Sequence, residues 1–345
     1  MKVAQIMAGA AEGGAELFFE RLCIALHEAG DEVLPVIRRN RARAETLRAA
    51  GMQPTQLPFG SVLDVLTKPR LALALRRFAP RVAVAWMSRA NQHMPSRGWG
   101  GDWVTVGRLG GYYPLRHYQR CDHLVGNTHG IVDWLRRQGW AATRTHYLPN
   151  FVDDFAATAP AWRGELGVPA EAKLLLGLGR LHTDKGFDTL IRALPALPDT
   201  VLAIAGSGGE RAALQALAAR EGVASRVRFL GWRHDAGALL KAADVFVCSS
   251  RVEPLGNMVI EAWSAGCPLV AAAAMGPREL VRDGTDGLVV PMEDPAALAG
   301  AIARVLNSPG LVSSLGAEGR ARYERDFGRA AVVAQWQHFL ATVKR

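Results

Sequence analysis

Val245-Phe246-Val247-Cys248-Ser249-Ser250-Arg251-Val252-Glu253-Pro254-Leu255-Gly256-Asn257-Met258-Val259-Ile260-Glu261-Ala262-Trp263 reads as a strand, a loop and a helix in immediate succession. Four apolar residues end at Cys248, and a polar loop carrying Glu253 follows. Asn257 has a side chain that caps helices, and the apolar run behind it predicts a helix over Met258–Ala265. Strand–loop–helix is the unit from which parallel sheets are wound. The amides from about Gly256 to Val259 would open at the helix N-terminus, where partial positive charge suits a phosphate. Glu261, one turn into the helix, is spaced to accept from a ribose diol, and Glu253 from sugar hydroxyls. Two carboxylates beside a phosphate site repel it unless hydroxyls or cations meet them, so the pattern asks for a polyhydroxylated ligand. The plainer alternative makes Glu261 a surface helix residue.

Upstream, Gly179-Arg180-Leu181-His182-Thr183-Asp184-Lys185-Gly186 lies between another predicted strand and helix. A guanidinium and an ammonium five residues apart at a strand end suit a diphosphate, Arg180 as a planar fork and Lys185 as a point charge; taken alone they could equally be solvated surface cations. At the start of the chain, Gly13-Gly14-Ala15-Glu16 opens a helix after the strand Val3–Met7. Its glycines would let backbone amides approach an anion, though a strand-to-helix turn without ligand reads as well.

Alternation of short apolar runs with amphipathic stretches continues through both halves and assigns an α/β class with parallel sheets. Predicted strands are Val3–Met7, Glu32–Ile37, Arg81–Trp86, Trp103–Val106 and His123–Val125, then Lys173–Leu178, Val201–Ala205, Val227–Leu230, Val245–Cys248, Leu269–Ala273 and Leu288–Val290. Predicted helices are Ala15–Ala29, Arg43–Ala50, Ser61–Phe78 and Ile131–Gln138, then Phe187–Ala193, Glu210–Glu221, Ala236–Ala242, Met258–Ala265, Arg278–Val281 and Ala296–Leu306. A Pro- and Ala-rich stretch from Leu148 to about Pro169 reads as a linker. Apolar residues at helical spacing in Ala330–Val343 predict a docked terminal helix. The expected organisation is two Rossmann-like domains, 1–153 with 330–345 returning to it, and 165–329. Ligand is expected in a cleft between them, at the carboxyl ends of the strands.

With 345 residues, 49% of them hydrophobic, the chain can bury two cores. No segment has the roughly 18 apolar residues of a membrane span, and the N-terminus lacks the pattern of a secretory signal. Cys23, Cys121, Cys248 and Cys267 are far apart without a CxxC, so reduced packed thiols are expected. The net charge of +9 falls in residues 1–150, which hold 20 Lys/Arg against 11 Asp/Glu, while residues 151–345 hold 21 of each. Such an excess is either a solubility feature or an attraction to an anionic surface.

In order along the chain, Gly-Gly-Ala-Glu, Gly-Arg-Leu-x-x-x-Lys-Gly, Glu253-x7-Glu261, Ala265-Gly266-Cys267-Pro268-Leu269-Val270 and Gly284-x-x-Gly287-Leu288-Val289-Val290 resemble glycosyltransferase family 4, retaining enzymes of the two-domain GT-B fold. The C-terminal match spans about residues 171–308. The stretches Trp86–Ala90, Gly107–Tyr113, Cys121–Thr128 and Tyr147–Asp153 resemble a bacterial subgroup linked to lipopolysaccharide or other envelope glycans. The resemblance implies a hexosyltransferase using a nucleotide diphosphate sugar, with UDP the common base, and a glycan or lipid-linked acceptor. Arg180, Lys185 and Glu253 match the catalytic set: two cations on the diphosphate and a carboxylate facing the transferred sugar. Glu261 matches the ribose-binding carboxylate. Gly14, Gly206, Arg233, Leu255, Gly256, Asn257, Met258 and Val259 complete the donor side, Arg233 in the base-contacting loop. Arg89, Arg108, Tyr112 and Asn127 are the acceptor-side candidates.

Many members of that family carry a His after the fourth or fifth N-domain strand. Here Val106-Gly107-Arg108-Leu109-Gly110-Gly111 has none. Backbone or Arg108 contacts would substitute; His117, nearby in a helix-like stretch, is not assigned the role. No DxD motif marks a metal site, so no cofactor and no metal requirement are expected. Arg38, Arg39, Arg41 and Arg43, and Arg70, Arg76, Arg77 and Arg81, could hold anionic headgroups, which suits a cytoplasmic enzyme peripheral to the inner membrane face. No nucleic-acid module is visible. The competing readings are a nucleotide-sugar epimerase of the same fold and an NADP-dependent oxidoreductase, the latter suggested by Gly13-Gly14 with Arg38-Arg39.

Overall fold

The computed structural model describes all residues except 12, 61–63, 97, 98 and 100. The chain divides into two units, Met1–Asn150 with Arg329–Arg345, and Phe151–Gly328. All four cysteines are buried free thiols, and no helix among the described residues is long and apolar enough to cross a membrane.

The first unit runs β1 (Lys2–Met7), α1 (Gly14–Glu28), β2 (Glu32–Arg38), α2 (Arg41–Ala49), β3 (Thr55–Leu57), α3 (Thr67–Phe78), β4 (Val82–Trp86), α4 (Met87–His93), β5 (Val104–Leu109), β6 (His123–Gly126), α5 (His129–Arg137) and β7 (Thr145–Tyr147). Its seven strands are parallel in the order β3-β2-β1-β4-β5-β6-β7. Asn40 and Thr128 accept from backbone amides three residues on and so start α2 and α5. At α3, Asp64 does the same work by accepting from the Leu66 and Thr67 amides. The residues expected to begin that helix, 61–63, lie outside the described ones. β5 runs on to Leu109, past the predicted end at Val106. Gly107 permits this, because a Cβ there would strike Tyr118, Leu124 and Cys121 at 2.8–3.0 Å. Gly107 and Arg108 therefore sit in the sheet and not in a loop.

The second unit runs β8 (Lys173–Leu178), α6 (Phe187–Ala193), β9 (Thr200–Ala205), α7 (Arg211–Arg220), β10 (Val227–Gly231), α8 (Ala236–Ala242), β11 (Val245–Cys248), α9 (Asn257–Ser264), β12 (Leu269–Ala272), α10 (Met275–Leu280), β13 (Leu288–Val290), α11 (Pro295–Leu306) and α12 (Pro309–Arg322). Its six parallel strands lie in the order β10-β9-β8-β11-β12-β13. Successive side chains serve opposite faces: Leu174, Leu176, Ala203 and Phe246 pack with α8 and α9, while Leu175, Leu202, Val245 and Val247 pack with α6, α7 and α11. A sheet buried on both faces reads as apolar runs, which is why these strands were legible.

The stretch taken as linker is largely part of the second unit. Val152, Leu166 and Val168 are buried in its core. The Phe155 amide donates to Ser264 Oγ at 2.9 Å, and Arg320 holds Asp154 at 2.5 Å and 2.9 Å. The unit boundary falls at Phe151 and not at 165 because these residues find their hydrogen-bond partners there. Conversely, α13 (Arg329–Thr342) belongs to the first unit. It buries Val332, Trp336 and Leu340, Gln337 donates to Asp31 at 2.9 Å, and the Arg81 guanidinium donates to the carbonyls of Leu340, Ala341 and Val343 at its end.

Candidate functional site

In the second unit the strand order reverses between β8 and β11, and that switch point is where open parallel sheets bind ligands. The loops leaving these two strands are pressed together by glycine. Gly186 adopts φ +61°, and a Cβ there would lie 2.1 Å from the Ser249 carbonyl oxygen. The Arg251 and Val252 amides both donate to the Asp184 carbonyl, and Ser249 Oγ donates to the Lys185 carbonyl at 2.9 Å. Arg251 closes the join. It grips Asp188 with two bonds of 2.8 Å and reaches Glu293 at 2.6 Å. These bonds raise the Arg251 pKa and hold Asp188 below the usual carboxylate range. Sequence reasoning gave Arg251 and Asp188 no role, since nothing in their spacing announces a pair 63 residues apart.

This join brings Lys185 and Glu253 together: Nζ and Oε2 are 2.5 Å apart, with 18% and 12% of the side chains exposed. The other oxygen of Glu253 accepts from the Gly256 amide at 3.2 Å. A partly buried ion pair costs desolvation, so excellent geometry and a further hydrogen bond are what keep it favourable. The neighbouring loop is tied in by backbone. Leu181 donates to the Ser207 carbonyl at 2.8 Å and Gly206 to the Gly231 carbonyl at 2.7 Å. A Cβ on Gly206 would lie 1.8 Å from the Gly179 oxygen and 3.6 Å from the Arg180 amide nitrogen. Arg180 is exposed and its guanidinium makes no hydrogen bond or ion pair among the described residues. Arg233, beyond β10, is exposed and forked onto Asp235 at 2.8 Å and 2.5 Å.

Two expectations for the late helix need correcting. Gly256, at φ +90°, is the N-cap of α9, and Asn257 is its first helical residue, because a left-handed turn leads the chain out of the loop and favours glycine. The Gly256 amide is taken by Glu253 and the Val259 amide by the Gly256 carbonyl, so neither is open to a phosphate in this arrangement. The Val259 side chain is fully buried in the core and Leu255 nearly so, whereas Met258 and Glu261 are half-buried.

In the first unit, Gly14 is the first residue of α1. The glycine loop before it makes room for the chain's own acid. Glu16 Oε1 accepts from the Ala10 amide at 2.8 Å, and a Cβ on Gly9 or Gly13 would come within 2.1–2.3 Å of that carboxylate. Beside it, Gly9–Ala11, Arg38, Arg39 and Asn40 bound a depression of about 430 Å³. Arg43 of the basic cluster is buried on Glu20 at 2.8 Å, and Arg81, though exposed, has its guanidinium engaged by the carbonyls at the end of α13. Arg38, Arg39, Arg41, Arg70, Arg76 and Arg77 remain exposed.

Of the acceptor-side candidates, Arg89 is exposed on α4 and Tyr112 stands 41% exposed against Trp134. Arg108 and Asn127 are buried and flank Gly110. Burial pushes the Arg108 guanidinium down to about 10. Its partner Asn150 went unassigned in the sequence, where it is only part of a Leu-Pro-Asn loop. His117 lies in a short 3-10 turn, bonded to Gln92. Among the described residues no group of three or more His, Cys, Asp or Glu is arranged to hold a metal ion.

Residues 158–322 match the family described as Glycosyl transferases group 1. Over 333 residues, 96% of each chain, the sequence is 36% identical to the lipopolysaccharide core biosynthesis glycosyltransferase LpsE of Rhizobium meliloti (strain 1021). It is also 36% identical over 334 residues, again 96% of each, to LpsD of the same organism, which carries the same description. The crystal structure of Anabaena Alr3699/HepE in complex with UDP superposes with a TM-score of 0.85 at 21% identity, covering 99% of this chain and 100% of that one. That likeness establishes the GT-B class for the two Rossmann-like units.

Proposed function

This chain belongs to the group 1 glycosyl transferases, and from that premise we propose that it moves a hexose-type sugar from a UDP-sugar to a lipopolysaccharide core or related envelope glycan, with retention at the anomeric carbon. The observation that carries the reading is the Lys185–Glu253–Gly256 constellation, formed where the β8 and β11 loops meet. The acceptor class is supported by the descriptions of LpsE and LpsD, and the uridine base by the ligand of HepE. The family membership sets the oxidoreductase reading aside.

Departure of a nucleoside diphosphate builds negative charge on its phosphates. Lys185, Arg180 and the start of α9 would stabilise that charge, and electrostatic stabilisation of this kind is usually the largest catalytic contribution. In the donor complex the diphosphate competes with Glu253 for Lys185, freeing the carboxylate to orient the sugar hydroxyls. A donor phosphate oxygen takes the acceptor proton, so Glu253 acts as an orienting charge and not as a nucleophile. No metal enters these steps, and turnover is expected to persist in EDTA.

Turnover of UDP-hexose tests the assignment. Lys185→Ala is expected to lower kcat by about 10²–10³, and Glu253→Ala to lower it as well. Near wild-type rates in both variants would remove the assignment, and donor consumption without acceptor would favour an epimerase. The first unit holds 23 Lys/Arg against 11 Asp/Glu, which supports a peripheral enzyme at an anionic cytoplasmic membrane face. Co-sedimentation with anionic liposomes should be strong at low salt and lost at high salt; no binding at low salt speaks against it.

A further inference from the structure

Arg108 lies one residue from the end of the interior strand β5, at the carboxyl ends of parallel strands where ligands are taken, yet it is 1% exposed. Its guanidinium rests on the rings of Trp86 at 4.5 Å and Phe18 at 5.4 Å. Among the described residues it donates one hydrogen bond, from Nη2 to Asn150 Oδ1 at 2.5 Å. Among the described residues Nε has no hydrogen-bond partner and no carboxylate forms an ion pair with the guanidinium. Ring faces attract a cation, but they neither balance its charge nor satisfy its N–H groups. A guanidinium left so in a low-dielectric interior is costly.

The surroundings share this incompleteness. Asn127 is 3% exposed, and among the described residues its Oδ1 has no hydrogen-bond partner. Between the two stands Gly110, where a Cβ would come 3.0 Å from Arg108 Nη1 and 4.0 Å from Asn127 Nδ2. The glycine keeps that flank of the guanidinium uncovered by side chain.

We propose that Arg108, Asn127 and Gly110 form an oxyanion subsite that holds the carboxylate or phosphate of an acidic sugar. The planar fork of the guanidinium matches either group, and Asn127 Oδ1 would accept from a neighbouring sugar hydroxyl. The proposal rests on the reading of the chain as a sugar transferase and adds that one of its sugars carries negative charge.

The test uses the full chain without nucleotide. Thermal shift and calorimetric titration with glucuronate, glucose 6-phosphate and glucose are compared. At least one acidic sugar is expected to raise Tm and to bind about tenfold or more tightly than glucose. Whichever acid responds tells a carboxylate from a phosphate ligand. Arg108→Met keeps the bulk and removes the charge. It is expected to abolish that preference without lowering the Tm of the free protein, because it also removes an unpaired buried charge. Gly110→Ala leaves the guanidinium in place and is expected to weaken acid binding. Equal responses of the wild type to glucose and both acids, or no response to any, overturn the proposal. So does an acid preference that persists in Arg108→Met. Should UDP raise Tm while no acidic sugar does, the subsite fails and the transferase reading stands; silence towards UDP as well would count against the transferase reading itself.

Discussion

The two units wind their sheets alike, each with its first strand beside its fourth, yet they treat charge at the strand ends in opposite ways. In the second unit, charges meet across loops: Lys185 on Glu253, Arg251 on Asp188. In the first, Glu16 folds back under its own glycine loop, and Arg108 is buried on aromatic rings without an anion. One topology thus supplies a place for a ligand, and the side chains set the chemistry. Joined loops and paired charges make a site formed before any ligand arrives, which the proposed function assigns to the donor diphosphate. A lone buried cation makes a site that is completed by what binds it.

The contrast can be broken most severely through the glycines. In Gly206→Ala the new Cβ meets backbone at 1.8 Å, which cannot give way, so the second unit should lose about 3 kcal/mol of stability. In Gly13→Ala the Cβ meets the end of the Glu16 side chain, which can swing aside, and the loss should be about 1 kcal/mol or less. Urea unfolding of both variants checks the ranking; equal losses would mean the first loop is as rigid as the second.

A smaller effect is expected from Arg251→Lys. An ammonium cannot reproduce the fork on Asp188, so unfolding should come about 1–2 kcal/mol more easily, and Asp188 should titrate closer to an ordinary carboxylate. Because the folded pKa of Asp188 is lowered, its contribution is present above the unfolded value and lost as pH falls through the folded one. The wild-type advantage over Arg251→Lys should therefore shrink in acid. An advantage that does not change with pH would unlink the two groups.

The last effect is absent at neutral pH and concerns His146. Burial, aided by His123 and Arg136, pushes it down to about 4. The unfolded chain then binds the extra proton between about 6.5 and 4, so stability should decline as pH falls through that window. His146→Gln should flatten the decline in a pH series of melting temperatures. An unchanged slope would place its origin elsewhere.

Legibility followed burial. Strands covered on both faces were readable from apolar runs, β13 (Leu-Val-Val) included, whereas β3 (Thr-Gln-Leu) and β7 (Thr-His-Tyr) are mostly polar and show no run. α12 escaped because Gly310, Gly316 and Gly319 argue against a helix. Two of them are there for contact: a Cβ on Gly319 would strike Trp263 at 2.3 Å, and one on Gly316 the Gly266 carbonyl at 2.6 Å. The ordered glycines, cations and carboxylates of 179–186 and 253–261 identified a candidate site, since their spacing reflects loops at strand ends.

Amino-acid order alone was enough to specify the α/β alternation, the candidate cations and carboxylates, and the excess of positive charge in the first half, because periodicity and composition are local properties. Folding had to decide that Glu253 pairs with Lys185, that Glu16 fills its own loop, and that Arg108 is buried without a counter-ion. Those outcomes depend on which distant segments share a low-dielectric interior, and the energy of a charge is set by its neighbours in space.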